Sequence, residues 1–244
     1  MPAIRAIAYL NNAISAHLGR EILRADGVPP AEVLLVQGRA LNRLWMAECA
    51  MNVPYPVPAS LRLAGQWWFL GFYREASRQV RAALAADGVR EVYLVNNDNL
   101  ITAHLLAEAA RRPEVRVTVV AEGLMNYQDI TAKNRAGWRF AVKRLVAGAL
   151  GCRWRAPQGH LSGAFEPVVR RVVSFTARGL HAPPEKVTVI PFTVPPAAPP
   201  LRADTVLYAE NALWQWFKDE VQFRRLADAF GAWRRALGPG RFLI

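Results

Sequence analysis

Short apolar, β-branched runs recur along this chain, and the clear ones break abruptly into polar loops. Residues 4–10 (IRAIAYL) end in Asn11-Asn12, residues 91–95 (EVYLV) end in Asn96-Asn97-Asp98-Asn99, and residues 115–120 (VRVTVV) lead through Ala121 into Glu122-Gly123. A further run, residues 33–36 (VLLV), follows the first after a helical stripe of Ile14, Leu18, Ile22 and Leu23 that Asp26-Gly27 stops. Ile101, Leu105, Leu106 and Ala109 make a second such stripe over residues 100–111. Strand, helix and strand in so short a space make a βαβ unit, the usual source of parallel sheet. The expected fold is therefore α/β, with a Rossmann-like amino-terminal domain built on a parallel sheet.

In open sheets of this kind ligands bind in the crevice beyond the carboxyl ends of the strands. Two successive strand ends deliver polar loops there, NNDN (residues 96–99) and EGLMNYQ (residues 122–128). Glu122 has two readings, a general base in that crevice or an ordinary loop glutamate. Likewise, the Asn and Asp of NNDN serve helix capping and turns as readily as ligands, and the two roles are compatible.

Elsewhere the pattern is uneven. Prolines 54, 56 and 58 forbid regular structure in the middle of residues 41–63. Residues 67–86 read as a long helix whose Trp67-Trp68-Phe69 start suits core packing more than an exposed aromatic patch. Residues 137–150 (GWRFAVKRLVAGAL) form a basic amphipathic stretch with Trp138, Arg139, Lys143 and Arg144. Such a stretch either lies on an anionic membrane surface or packs as an ordinary surface helix, the commoner fate. Residues 168–176 and 186–192 read as further strands.

Residues 193–200 (TVPPAAPP) make a semi-rigid, extended linker. Beyond it, a strand at 205–208, a helix over 219–237 and a strand start at 241–244 begin a second α/β unit. The domain reading is 1–192, a linker over 193–204, and 205–244 as the beginning of a second Rossmann-like domain, expected to be truncated.

Composition narrows the chemistry. With 244 residues, 52% of them hydrophobic, the chain can bury a sizeable core. The net charge of +12, carried mostly by arginine, favours anionic partners such as a nucleotide, an acidic glycan or a membrane face. No nucleic-acid-binding signature accompanies that charge, so nucleic acid is not an expected partner. Two distant cysteines, Cys49 and Cys152, give no disulfide framework, and the four histidines show no metal-ligand spacing. No signal peptide or apolar run long enough to span a bilayer is evident, so the expected location is cytoplasmic, with peripheral contact at the inner membrane as a further expectation.

The EGLMNYQ segment, Asn134-Arg135, the GHLSG at residues 159–163 and VTVIPF at 187–192 together resemble one family, the bacterial polysialyltransferase-type glycosyltransferases related to lipooligosaccharide sialyltransferases. The resemblance implies a GT-B-like fold of two Rossmann-like halves, with residues 1–192 on the acceptor side. It implies inverting transfer of sialic acid from CMP-sialic acid to a glycan, with no metal or other cofactor. In that family an acidic pair before glycine supplies the general base, and a later His-Pro motif contacts the CMP phosphate. Here the first motif is Ala121-Glu122-Gly123, so only Glu122 carries over as base. No His-Pro occurs in these 244 residues, and the order of elements places it after Ile244.

On this reading Gly123 permits close approach of the ligand to the backbone. Asn126, Tyr127 and Gln128 offer neutral hydrogen-bonding groups to sugar hydroxyls, and Asn97 and Asp98 line the neighbouring strand end. Two alternatives stay open: a GT-B glycosyltransferase with another nucleotide-sugar donor, and a truncated, non-catalytic glycan-binding protein.

Overall fold

The apolar runs do form strands, and the strands are parallel throughout. A computed structural model describes residues 3–11, 13–38, 48–54, 67–96, 99–121, 126, 137–154, 160, 162–190, 206–207, 228 and 242–243. The strands β1 (Ala6–Leu10), β2 (Val33–Gln37), β3 (Met51–Val53), β4 (Glu91–Leu94), β5 (Arg116–Val120), β6 (Val169–Ser174) and β7 (Val187–Val189) make a seven-stranded sheet in the order β3-β2-β1-β4-β5-β6-β7. Every residue of β1, β2 and β4 is buried, as is all of β5 except Arg116. A sheet covered on both faces has no solvent side to mark with polar residues, which is why these strands read as unbroken apolar runs.

Among the described residues four helices accompany the sheet: α1 (Ala13–Ala25), α2 (Trp67–Ala85), α3 (Leu100–Ala109) and α4 (Gly137–Ala149). The chain crosses from β1 to β2 in one direction along the sheet and from β4 to β5 in the other. Right-handed crossovers therefore put α1 and α3 on opposite faces. α1 rests on β1 and β5, while α2 packs against α3 and reaches β2 and β3. α3 is buried on nearly every side, from Ile101 through Leu106 and again at Glu108 and Ala109. The side chains of Trp67, Trp68 and Phe69 lie outside the described residues, so neither fate expected for them is addressed.

One strand was not expected. Met51–Val53 pairs with β2 at Leu34↔Met51 and Val36↔Val53, inside the proline-rich stretch that gave no regular structure. A three-residue edge strand is too short to show a period, and it ends at Pro54, before the remaining prolines can interfere.

The amino edge of the sheet is held by ion pairs. Asp26, in the turn that ends α1, accepts hydrogen bonds from both terminal nitrogens of Arg171 on β6, one at 2.9 Å, and from the hydroxyl of fully buried Tyr93 at 2.7 Å. The turn itself needs Gly27 at a φ of 63°, a left-handed value that closes a helix at little steric cost only without a Cβ. Glu91, buried at the start of β4, pairs with Arg116 of β5. A register shift between β5 and β6 takes Val117↔Val169 to Thr118↔Arg171. Arg170 is thus the extra residue of a β-bulge.

The chain divides into two compact units, Met1–Phe192 and Thr193–Ile244. In the second, β8 (Val206–Leu207) and β9 (Phe242–Leu243) pair in parallel. A parallel pair requires a crossover between its strands. The helix expected over 219–237 lies almost wholly outside the described residues.

Candidate functional site

Strand order fixes where a ligand crevice opens. The connections from β1 and β4 leave in opposite directions, which makes the carboxyl edge between them the topological switch point, where open α/β sheets bind ligands. Tyr9 of β1, 3% exposed, stands next to this point, and its hydroxyl receives a hydrogen bond from Asn99 Nδ2. Asn99 also caps α3: its Oδ1 accepts from the backbone N–H of Ile101 at 2.8 Å and of Thr102 at 3.1 Å. One side chain therefore starts a helix and fastens it to the end of the central strand.

On the other side of Tyr9, the β2 end approaches closely at Gly38, whose N–H donates to Leu10 O at 2.6 Å. A Cβ at Gly38 would collide with the Tyr9 hydroxyl and come within 2.9 Å of Asn11 Cβ. Glycine is needed for this contact. Asn11 donates its backbone N–H to Ser15 Oγ at 3.1 Å. Its side-chain Oδ1 is buried and has no hydrogen-bond partner among the described residues. An orphaned acceptor at a crevice is suited to receiving a hydroxyl or amide of a ligand, or a water.

The second part of the edge follows β5. Ala121 N–H donates to Val173 O at 2.7 Å, extending the β5–β6 pairing by one residue before Glu122. Farther along the same loop Asn126 is 3% exposed, and its carbonyl accepts the backbone N–H of His181 at 2.8 Å. The His181 ring stacks on that of His160, centroids 5.4 Å apart and planes 11° from parallel. His160 is buried, and its Nδ1 accepts from the Ser162 N–H at 3.1 Å and lies 2.9 Å from Ser162 Oγ. An accepting Nδ1 on a neutral ring puts the proton on Nε2. Asn126, His160 and His181 thus join the loop after β5, the GHLSG segment and the β6–β7 crossover.

Of the residues expected to form the site, Asn126 alone is described, as an enclosed tie of the loop after β5. Glu122, Gly123, Tyr127, Gln128, Asn97 and Asp98 lie outside the described residues. The strand ends that carry them are defined: β4 and β5 are adjacent and in register, with Leu94 opposite Val119. Asn97 and Glu122 each follow these paired residues by three positions. The Tyr9–Asn99 contact and the His160–His181 stack had no local signal in the sequence, because the partners of each come from distant segments.

Other chemistry is less well provided for. Burial pushes the Cys49 thiol up to about 12, with Glu48 adding to the effect, and burial also raises Cys152. Both thiols stay protonated at neutral pH and are poor nucleophiles. Among the described residues, no three His, Cys, Asp or Glu side chains are grouped to hold a metal ion. None of the helices, among the described residues, is long and apolar enough to cross a membrane. A cavity of about 190 Å³ lies at the opposite, amino edge, lined by Asp26, Glu91, Arg116, Thr118, Arg170 and Arg171. Its two carboxylates are already engaged by Arg171 and Arg116. No protein-family model matches the chain, and no curated protein matches its sequence. What stands on its own is a Rossmann-like parallel α/β fold with a polar carboxyl edge.

Proposed function

We propose that this carboxyl edge binds a nucleotide sugar and a glycan, and that the protein is an inverting glycosyltransferase of the sialyltransferase kind with a GT-B-like arrangement. The observation that carries the reading is the adjacency of β4 and β5. The two strands end side by side, Leu94 opposite Val119, next to the switch point between β1 and β4, and NNDN and EGLMNYQ are the segments that follow them in the sequence. In the proposed reaction an acceptor hydroxyl attacks the anomeric carbon of sialic acid as the bond to CMP breaks. The hydroxyl proton passes to the Glu122 carboxylate, and CMP leaves with the bonding electron pair. A base at a strand end bordered by apolar residues such as Val120 suits this role, since partial burial lifts a carboxylate toward neutrality.

A topological switch point favours a nucleotide without choosing its base, so a GT-B enzyme with a different nucleotide-sugar donor is the second reading. Incubating the protein with CMP-sialic acid and sialylated oligosaccharides tests the first. Transfer that Glu122→Gln abolishes, with CMP affinity retained, is the expected result. Undiminished turnover in that variant removes Glu122 from the base role. Competition by UDP or GDP but not CMP transfers the argument to the second reading. Glycan binding without turnover of any nucleotide sugar overturns both.

A further inference from the structure

We infer that α4 docks the protein on an anionic membrane surface. This rests on α4 alone and is independent of the transfer reaction. Packing as an ordinary surface helix would turn the apolar residues of α4 inward. Instead Ala141, Val142, Leu145, Gly148 and Ala149 are all exposed, Val142 at 50% and Leu145 at 75%, while Ala147 is fully buried. Positions 142, 145 and 149 stand at helical i, i+3 and i+7 spacing, so they form one outward stripe. Gly148, in the same stretch, has nothing within 4 Å of where a Cβ would be. Contiguous aliphatic surface of this sort marks an interaction site.

Charge identifies the partner. Between Asp129 and Glu166 the sequence has no acidic residue, while Arg139, Lys143 and Arg144 of α4 are basic; Arg153, just beyond the helix, is paired with Glu108 of α3 at 3.1 Å. Arg144 is exposed beside Leu145. Exposed Val142 and Leu145 with the exposed Arg144 beside them match the two layers of a lipid interface, hydrocarbon beneath and anionic headgroups above. Nucleic acid would satisfy the charge but offers no apolar phase for Val142 and Leu145. The 13-residue helix is about 20 Å long, enough to lie in the interface and too short to span it.

Co-sedimentation of the whole protein with vesicles tests the inference. Binding is expected to vesicles of phosphatidylcholine mixed with phosphatidylglycerol, to fall with added salt, and to be weak on phosphatidylcholine alone. Val142→Gln with Leu145→Gln, both at exposed positions, should keep the melting temperature and weaken vesicle binding by about tenfold or more. Lys143→Glu with Arg144→Glu should do the same at low salt. Failure to bind anionic vesicles at low salt overturns the proposal, as does binding that survives the Gln pair. Lipid-independent self-association lost in the Gln pair would assign the face to a second copy of the chain and also overturn it.

Discussion

Arg171 grips both carboxylate oxygens of Asp26 across 145 residues of sequence, and the Tyr93 hydroxyl closes on the same carboxylate from β4. The end of α1 is thereby locked to two strands, β4 and β6, on one side of the switch point. A fork-to-carboxylate pair is among the stronger polar contacts available, and here it is largely shielded, with the Asp26 side chain 16% exposed.

Asp26→Ala should therefore destabilise the protein by about 2–3 kcal/mol, because it leaves the Arg171 charge and the buried Tyr93 hydroxyl without their acceptor. Burial acts to raise the Asp26 carboxyl, but the hydrogen bonds from Arg171 and Tyr93 outweigh it and hold it below the ordinary carboxylate value of 3.8. A folded pKa below the unfolded one means a contribution fully present above that ordinary value and lost as pH falls through the lower folded one. Urea midpoints measured from pH 7 to pH 2 should show Asp26→Asn with a flatter acid limb than the wild type. An identical limb in the two proteins would remove Asp26 from the acid transition.

His104, fully buried on α3, carries a second pH dependence of the opposite charge type. Its Nδ1 accepts the backbone N–H of Arg153 at 2.9 Å, which requires an unprotonated nitrogen. Burial lowers its pKa below the ordinary 6.5 despite the attraction of Glu108. The unfolded chain then binds the extra proton first, so stability falls as pH drops below about 6.5, by at most about 1.4 kcal/mol per pH unit. His104→Gln keeps an acceptor for Arg153 and cannot titrate. The stability difference between wild type and H104Q should be constant above pH 6.5 and shift against the wild type below it.

Asn99 does two jobs that separate by substitution. Asn99→Ala removes the α3 cap and the tie to Tyr9, and should cost about 1–2 kcal/mol in thermal or urea unfolding. Asn99→Asp preserves the capping oxygen but loses the Nδ2–H that donates to Tyr9, so a smaller loss is expected. In a double-mutant cycle with Tyr9→Phe, the Asp substitution should show no further cost. An additive cycle would mean that the Tyr9 contact does not contribute to stability.

The sheet was legible because four of its strands are buried on both faces and therefore spell continuous apolar runs. Helix ends were legible too: Asp26-Gly27 stops α1 and Asn99 starts α3, both by local backbone chemistry. Strand order was not, since nothing in IRAIAYL says that β4 rather than β3 lies beside it. Asp26 illustrates the limit well. Its role as a helix stop is written in its neighbours, whereas its hold on Arg171 depends on a register shift at Arg170 in a distant strand. The same holds for the carboxyl edge, where the ends of β4 and β5 were legible but the contacts between distant segments were not. The stack of His160 on His181 arises only when the β6–β7 crossover folds back over the GHLSG segment.

The two outermost strands, β3 and β7, are each three residues long. Pro54 follows one and Pro191 stands just beyond the other. An open sheet otherwise offers its rim as a template on which a neighbouring chain can continue the ladder, the first step toward aggregation. Brief rims with a residue lacking an N–H close behind them give an incoming strand little to copy. At both sides, the chain has limited its own capacity to polymerise.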